Sequence, residues 1–227
     1  MSQSAVDDEL NTSIARAEIL GRIRTLQGRP DSFRSNEVAQ AQAYMDRHER
    51  GPGPSAVDNL VELFVERSKA MLCSVARVPS FDHATRACAS YIAEHQLQGI
   101  PAIWPSLASL DWAAAGLKVR VGSPGGGDLI GISGVAYAVA ETGTLVFASR
   151  PDEPASTHLL PETHIALVSR AQVVHTMEDA FARLREDGRA MPRALNFVSG
   201  PSRTADIEQT IVLGAHGPYR VHLVLVG

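Results

Sequence analysis

Between residues 5 and 27 the apolar positions Ile14, Ala17, Leu20 and Ile23 recur at intervals of three and four with Glu and Arg among them. That is the spacing of an amphipathic helix. Gly28-Arg29-Pro30-Asp31-Ser32 ends it, because proline has no amide to donate and glycine frees the backbone. A more polar helix is predicted over 37–48. The strongest break is Gly51-Pro52-Gly53-Pro54-Ser55, which separates a helical N-terminal arm and linker (residues 1–55) from a core domain (residues 56–227).

Within the core the period of the pattern changes repeatedly. Helical spacing over 58–69 puts Leu60, Leu63 and Phe64 on one face, and an apolar run over 70–78 then reads as a strand ended by Pro79. A second amphipathic helix is predicted over 82–98, with Ala84, Ala87, Tyr91 and Ile92 inward. Short strands follow at 100–104 and 117–121, with a short helix over 107–115 between them. Strands at 135–140 and 144–148 flank Glu141-Thr142-Gly143, a hairpin signal. Further strands are expected at 163–169, 173–174, 194–198 and 221–226, with a helix over 177–186. Strands alternating with helices predict an α/β fold whose sheet is largely parallel and covered on both faces.

Charge and cysteine content narrow the function. A net charge of −4 argues against nucleic acid as the main partner. The acidic start Asp7-Asp8-Glu9 is unlike a secretory leader, and the apolar C-terminal run is far too short to span a bilayer, so a cytoplasmic location without a membrane span is expected. The two cysteines, Cys73 and Cys88, lie fifteen positions apart with no zinc-type spacing beside them. An iron–sulfur cluster usually takes four thiolates, so no cofactor and no metal are expected on this chain.

Several segments carry candidate chemistry. Gly122-Ser123-Pro124-Gly125-Gly126-Gly127-Asp128 matches neither G-x-x-x-x-G-K-[ST] nor G-x-G-x-x-G, and reads as a surface loop. Glu141 stands on a tight turn at the end of a sheet, where open α/β folds bind ligands, and is the candidate catalytic carboxylate; the alternative is that it caps the turn. After the strand ending at Val198, Gly200-Pro201 breaks the chain and Ser202, Arg203 and Thr204 follow. Arg203 suits a bidentate grip on a carboxylate or phosphate, with Ser202 and Thr204 adding hydroxyl donors. Asp206 either steadies Arg203 within a site or, like Glu208, closes on it as an internal ion pair. His216, in Ala215-His216-Gly217-Pro218, is the histidine best placed for acid–base work, whereas His164 and His222 sit in apolar strands as satisfied core or edge residues. Because both segments follow strands, the Glu141 turn and the 202–204 loop are expected to meet beyond the carboxyl ends of a parallel sheet, forming a small anion-binding cleft.

Four phrases occur in an order that resembles the LUD-domain family, in its lactate-utilisation protein C type. They are Gly131-Ile132-Ser133-Gly134 with Ala136-Tyr137-Ala138; Ala140-Glu141-Thr142-Gly143-Thr144-Leu145; Leu159-Leu160-Pro161 with His164-Ile165-Ala166; and Phe197-Val198-Ser199-Gly200-Pro201-Ser202-Arg203-Thr204-Ala205-Asp206 leading to Leu213-Gly214-Ala215-His216-Gly217-Pro218. The resemblance implies a three-layer Rossmann-like sandwich of the sugar-isomerase and CoA-transferase superfamily. It also implies a small subunit of an L-lactate utilisation system, converting lactate to pyruvate beside cysteine-rich partner subunits that carry the iron–sulfur clusters. Against CoA transferases, the Glu141 turn is similar to the one that bears their covalent glutamate. A second reading is an independent transferase or ligase acting on an acyl-CoA, nucleotide or folate-like ligand. Pairing of copies through the N-terminal arm is a further expectation.

Overall fold

The structure is a computed structural model and describes residues 12–28, 35–188, 192–205 and 211–227. The chain divides into two compact units, Met1–Gly51 and Pro52–Gly227. The first holds α1 (Ser13–Leu26) and α2 (Ser35–Arg47). None of the α1 residues is buried, and Ile14 and Ile19 remain exposed, so the helical spacing forms a helix without an apolar face enclosed inside this unit.

The second unit begins with α3 (Leu60–Ala70), whose N-cap Asn59 accepts a hydrogen bond from the amide of Glu62. The chain turns at Leu72, which adopts a left-handed φ of 69°, and enters β1 (Ser74–Val78). The apolar run at 70–73 therefore belongs to the helix end and its turn. α4 (Phe81–Glu94) buries Ala84, Thr85, Cys88, Tyr91 and Ile92, one stripe at helical spacing. It stops at Gln96, with a φ of 52°, where the Leu97 amide returns to the Ile92 carbonyl. β2 (Ala102–Ile103) and β3 (Arg120–Val121) follow. The helix expected over 107–115 is a single 3-10 turn at Pro105–Leu107 followed by further turns, pinned by the Trp112 indole donating to the Leu107 carbonyl.

The strands β4 (Ile130–Ser133), β5 (Tyr137–Val139) and β6 (Thr144–Ala148) lead to the one-turn helix α5 (Ser156–Leu159). β7 (Thr163–Ser169), β8 (Val173–Val174), α6 (Met177–Glu186) and β9 (Leu195–Val198) come next. α6 starts on a capping box between Thr176 and Asp179. The hairpin β10 (Arg203–Ala205) and β11 (Ile211–Leu213) precedes the last strand, β12 (Arg220–Val226).

Six strands form a parallel sheet in the order β1-β12-β7-β4-β2-β3. A smaller sheet runs β8-β5-β6-β9, with β6 antiparallel to β5 and β9. Alternate residues of the central strands serve opposite faces. Ile165 and Leu167 of β7, with Val224 and Val226 of β12, pack under the α4 stripe. Ala166, Val168, Leu223 and Leu225 face Phe64 and Val65 of α3 and Leu145 and Phe147 of the small sheet. Both faces are covered, which is why these strands are apolar without alternation. The small sheet turns Val139, Val146 and Val174 toward Ala180 of α6. The fold is thus α/β about a parallel central sheet, as expected, with α4 on one side and α3 sharing the other side with a second sheet. Gly131 allows α5 to lie directly on β4, since a Cβ there would sit 2.1 Å from the Thr157 carbonyl oxygen.

Candidate functional site

The small sheet decides where the Glu141 turn and the Arg203 loop go. Leu145 on β6 pairs with Val198 on β9, so the turn before β6 and the loop after β9 emerge side by side. Thr144 Oγ1 lies 2.7 Å from Ser199 Oγ and Thr142 Oγ1 lies 2.7 Å from Thr144 Oγ1, a hydroxyl chain that links the two segments. Both rest on the C-terminal end of α3. Gly143 has a φ of 67°, and a Cβ there would come within 2.6 Å of the Ser68 amide. Gly200 has a φ of 81°, and its Cβ would sit 2.0 Å from the Met71 carbonyl oxygen. Only glycine tolerates that combination of backbone angle and approach.

The rim is a different one from that expected of the large sheet. The carboxyl ends gathered here are those of β5, β8 and β9 of the small sheet, and the Glu141 amide donates to the His175 carbonyl just past β8. In the six-stranded sheet the same neighbourhood is the amino end, because Met71 and Leu72 lead directly into β1. The expectation was built on a single parallel sheet, and the second sheet changes which strand ends face the turn.

Glu141 is exposed on its turn. Arg203 is exposed and its Nη2 reaches Met71 Sδ at 3.5 Å. Among the described residues Glu141 and Arg203 form no ion pair with each other. Ser202 is half-buried and held by its backbone, its amide donating to the Pro218 carbonyl and its carbonyl accepting from the Gly214 amide. These bonds bring the exposed His216 turn beside Ser202. Thr204 pairs with Val212 in the hairpin. Asp206 lies outside the described residues.

In the glycine-rich loop the Asp128 carboxylate accepts the Gly125 amide at 2.6 Å and forms an ion pair with Arg120. An internal carboxylate thus occupies the amide that an anion would need.

Two polar groupings were not evident in the linear pattern. The first lies between the sheets. His164 Nε2 is 2.8 Å from Ser133 Oγ, which donates to the Gly134 carbonyl, so the imidazole donates through Nε2 and leaves Nδ1 as an acceptor. That Nδ1, both ring nitrogens of His158 and Thr157 Oγ1 are buried without a partner among the described residues. His158 stacks on Phe147 with centroids 3.9 Å apart. Burial holds His158 down to about 4 and, with His158 beside it, His164 down to about 3. His222 is similarly half-satisfied, with Nδ1 2.8 Å from Ser74 Oγ and Nε2 orphaned, and burial lowers it to about 4. The expected satisfied histidines therefore carry unmet hydrogen-bonding capacity.

The second grouping is a cleft of about 240 Å³ at the amino ends of β4, β7 and β12, walled by the segment 95–98 after α4. Arg220 opens β12 into it. Its Nη1 donates to Thr163 Oγ1 at 3.1 Å and its guanidinium lies 4.7 Å from the Tyr219 ring centroid. A cation at the start of a largely apolar strand was the available sequence signal. The buried cysteines complete the inventory: desolvation pushes Cys73, despite the pull of Arg203, and Cys88 up to about 12. Neither behaves as a ready thiolate, and two such thiols do not fit the ligand set of an iron–sulfur cluster. Among the described residues no helix is long and apolar enough to cross a membrane.

The LUD domain profile matches residues 129–226, a stretch that contains Glu141, Ser202, Arg203, His216 and Arg220 but not Met71 or His95. The chain is 39% identical over 100 residues to lactate utilization protein C of Geobacillus thermodenitrificans, covering 43% of this chain and 42% of that protein. It is 41% identical over 100 residues to the protein of the same name from Exiguobacterium sp., covering 43% and 44%. With that of Bacillus subtilis the identity is 34% over 133 residues, covering 53% and 55%. The matched stretch thus spans about half the length of these relatives. A crystal structure of a DUF162 family protein from Deinococcus radiodurans aligns with a TM-score of 0.55 at 24% identity, covering 77% of this chain and 100% of that one. This likeness speaks to the fold alone.

Proposed function

We propose that this chain, whose residues 129–226 match the LUD domain model, serves lactate utilisation as a small subunit of a system that oxidises L-lactate to pyruvate. The observation that carries the reading is the 34–41% identity to proteins named lactate utilization protein C, over 100 to 133 residues. Removing two electrons from lactate requires an acceptor. The two buried thiols of this chain do not suit a cluster, so in this reading the acceptor sits on partner subunits, assigned here as iron–sulfur carriers.

In this role the rim made by the Glu141 turn and the 202–204 loop is assigned to an anionic group. Arg203 has the Met71 thioether beside it and can donate two parallel hydrogen bonds to a carboxylate, while Ser202 is fixed next to it by its backbone. Glu141 supplies a nearby carboxylate for orienting a donor on the ligand.

Growth of a deletion strain on L-lactate as sole carbon source, with and without the plasmid-borne gene, tests the role. Restored growth on lactate, and unaffected growth on pyruvate, is the expected result; a deletion strain that grows normally on lactate rejects it. Arg203→Ala should fail to restore growth while its melting curve stays within about 0.5 kcal/mol of the parent, as befits an exposed side chain. Affinity purification of the tagged chain should bring down subunits with visible iron–sulfur absorption.

A further inference from the structure

We infer that the cleft headed by Arg220 is a binding site for a small monocarboxylate that carries a hydroxyl or amino group next to its acid. This deepens the proposed role and borrows from it only the choice of L-lactate as the first probe.

Arg220 is the reason for naming a carboxylate. Arg77, Arg120 and Arg150 each meet a carboxylate of the chain, Glu62, Asp128 and Glu153 respectively. Arg220 forms no such pair among the described residues, although it is half-buried and its guanidinium is held in place from two sides. Thr163 Oγ1 takes Nη1, and the Tyr219 ring lies against the plane, which orients the group but neutralises none of its charge. A positioned, unneutralised guanidinium inside a concave surface is suited to a bidentate carboxylate.

The rest of the lining sets the size and charge of the ligand. Glu162 shares the cleft, and its backbone carbonyl accepts the amides of Tyr219 and Arg220 at 3.0 and 3.2 Å, so its backbone is held beside Arg220 while its side chain is exposed. Its side chain makes no ion pair among the described residues. One guanidinium beside one carboxylate disfavours a dianion such as phosphate, and the carboxylate offers an acceptor to a hydroxyl or ammonium group. His95 also lines the cleft, with its Nδ1 donating to the Tyr91 carbonyl at 3.0 Å. Leu97, Leu129 and Ile130 form the apolar part of the wall, where a short alkyl group fits. The carbonyls of Tyr91, Ile92 and Ala93 in the last turn of α4 are already taken by the amides of His95, Leu97 and Gln96, so the negative end of that helix is largely capped.

Isothermal titration of the purified full chain with L-lactate, L-alanine, propionate and inorganic phosphate tests the assignment. L-Lactate or L-alanine should bind more tightly than propionate, which lacks the donor, and phosphate should bind weakest. Arg220→Ala should weaken binding about ten- to a hundred-fold, and Arg220→Lys should recover part of it. Glu162→Ala should erase the preference over propionate. Circular dichroism melts accompany each variant, and Arg220→Lys carries the test should Arg220→Ala fail to fold. Arg183→Ala, on the surface of α6, should bind as the parent does. Parent protein that binds none of the carboxylates, or binding unchanged in folded Arg220→Ala or Arg220→Lys, overturns the inference. A chain that restores growth on lactate yet binds no carboxylate refutes this site and leaves the proposed role standing; one that binds but does not restore growth refutes the role and leaves the site.

Discussion

Thr144 Oγ1 lies 2.7 Å from Ser199 Oγ, and this hydroxyl contact, next to the Leu145–Val198 pairing, ties the hairpin turn that bears Glu141 to the loop that carries Arg203. Thr144 is 3% exposed, so its hydroxyl has few alternatives in water. Thr144→Val keeps the shape and removes the link. It should cost about 1 kcal/mol in chemical denaturation and should speed hydrogen exchange at the amides of 199–204, while the exchange of β7 and β12 stays unchanged. Exchange that speeds equally throughout would mean the link braces the whole domain rather than this rim.

The two glycines that let these segments rest on α3 make a sharper test. Gly200→Ala would set a methyl group 2.0 Å from the Met71 carbonyl oxygen at a left-handed φ of 81°. A loss of about 2 kcal/mol or more is expected, combining the backbone cost with the overlap. Gly126→Ala, in open space with no positive φ, should be neutral or stabilising by up to about 1 kcal/mol. Equal effects at the two positions would show that the close approach to α3 is not maintained in solution.

His158 is 1% exposed, has two ring nitrogens without a partner among the described residues and stacks on Phe147. Phenylalanine at that position keeps the ring contact and removes both orphaned atoms. His158→Phe should therefore raise stability by about 1 kcal/mol in denaturant titration. If stability instead falls by a similar amount, the ring nitrogens are satisfied by bound water in solution.

The same burial predicts how stability responds to acid. His158 and His222 are held near 4 and His164 near 3, against 6.5 for an accessible imidazole. Above about pH 6.5 both folded and unfolded chains hold them neutral and they contribute no pH dependence. Below it the unfolded chain takes up protons that the folded chain refuses, so stability falls as pH drops from 6.5 toward 4. The slope is on the order of 1 kcal/mol per pH unit for each histidine. Melting temperatures of the parent and His158→Phe should diverge as the pH falls through this window, the variant losing less. Parallel curves would show that His158 is not excluded from protonation.

The elements that could be read along the chain are those whose signal is local. The α4 stripe from Ala84 to Ile92, the Thr176–Asp179 capping box ahead of α6 and the glycine-bearing hairpin around Glu141 each depend on neighbours within a few positions. The apolar runs of β7 and β12 also marked themselves as strands buried on both faces. β4 and the β10–β11 hairpin were hidden, because Ile130–Ser133 is too short to show a period and the hairpin's pairing depends on contact across a loop. The 107–115 segment has helical composition, but Trp112 satisfies its indole on the Leu107 carbonyl and the segment forms turns instead.

The sequence by itself determined an α/β domain and the residue types of a candidate rim: a carboxylate on a turn, and an arginine flanked by two hydroxyls. Tertiary structure alone decided how they meet. Pairing of β6 with β9 joins distant residues such as Leu145 and Val198, and left-handed Gly143 and Gly200 seat both segments on α3. It also decided which histidines keep unmet hydrogen bonds, since that depends on which atoms of distant strands reach each ring. Arg220 shows the same limit most plainly. Nothing beside it in the chain tells whether an acidic partner will reach it, and only the packing of β4, β7 and the end of α4 leaves its charge facing an open cleft.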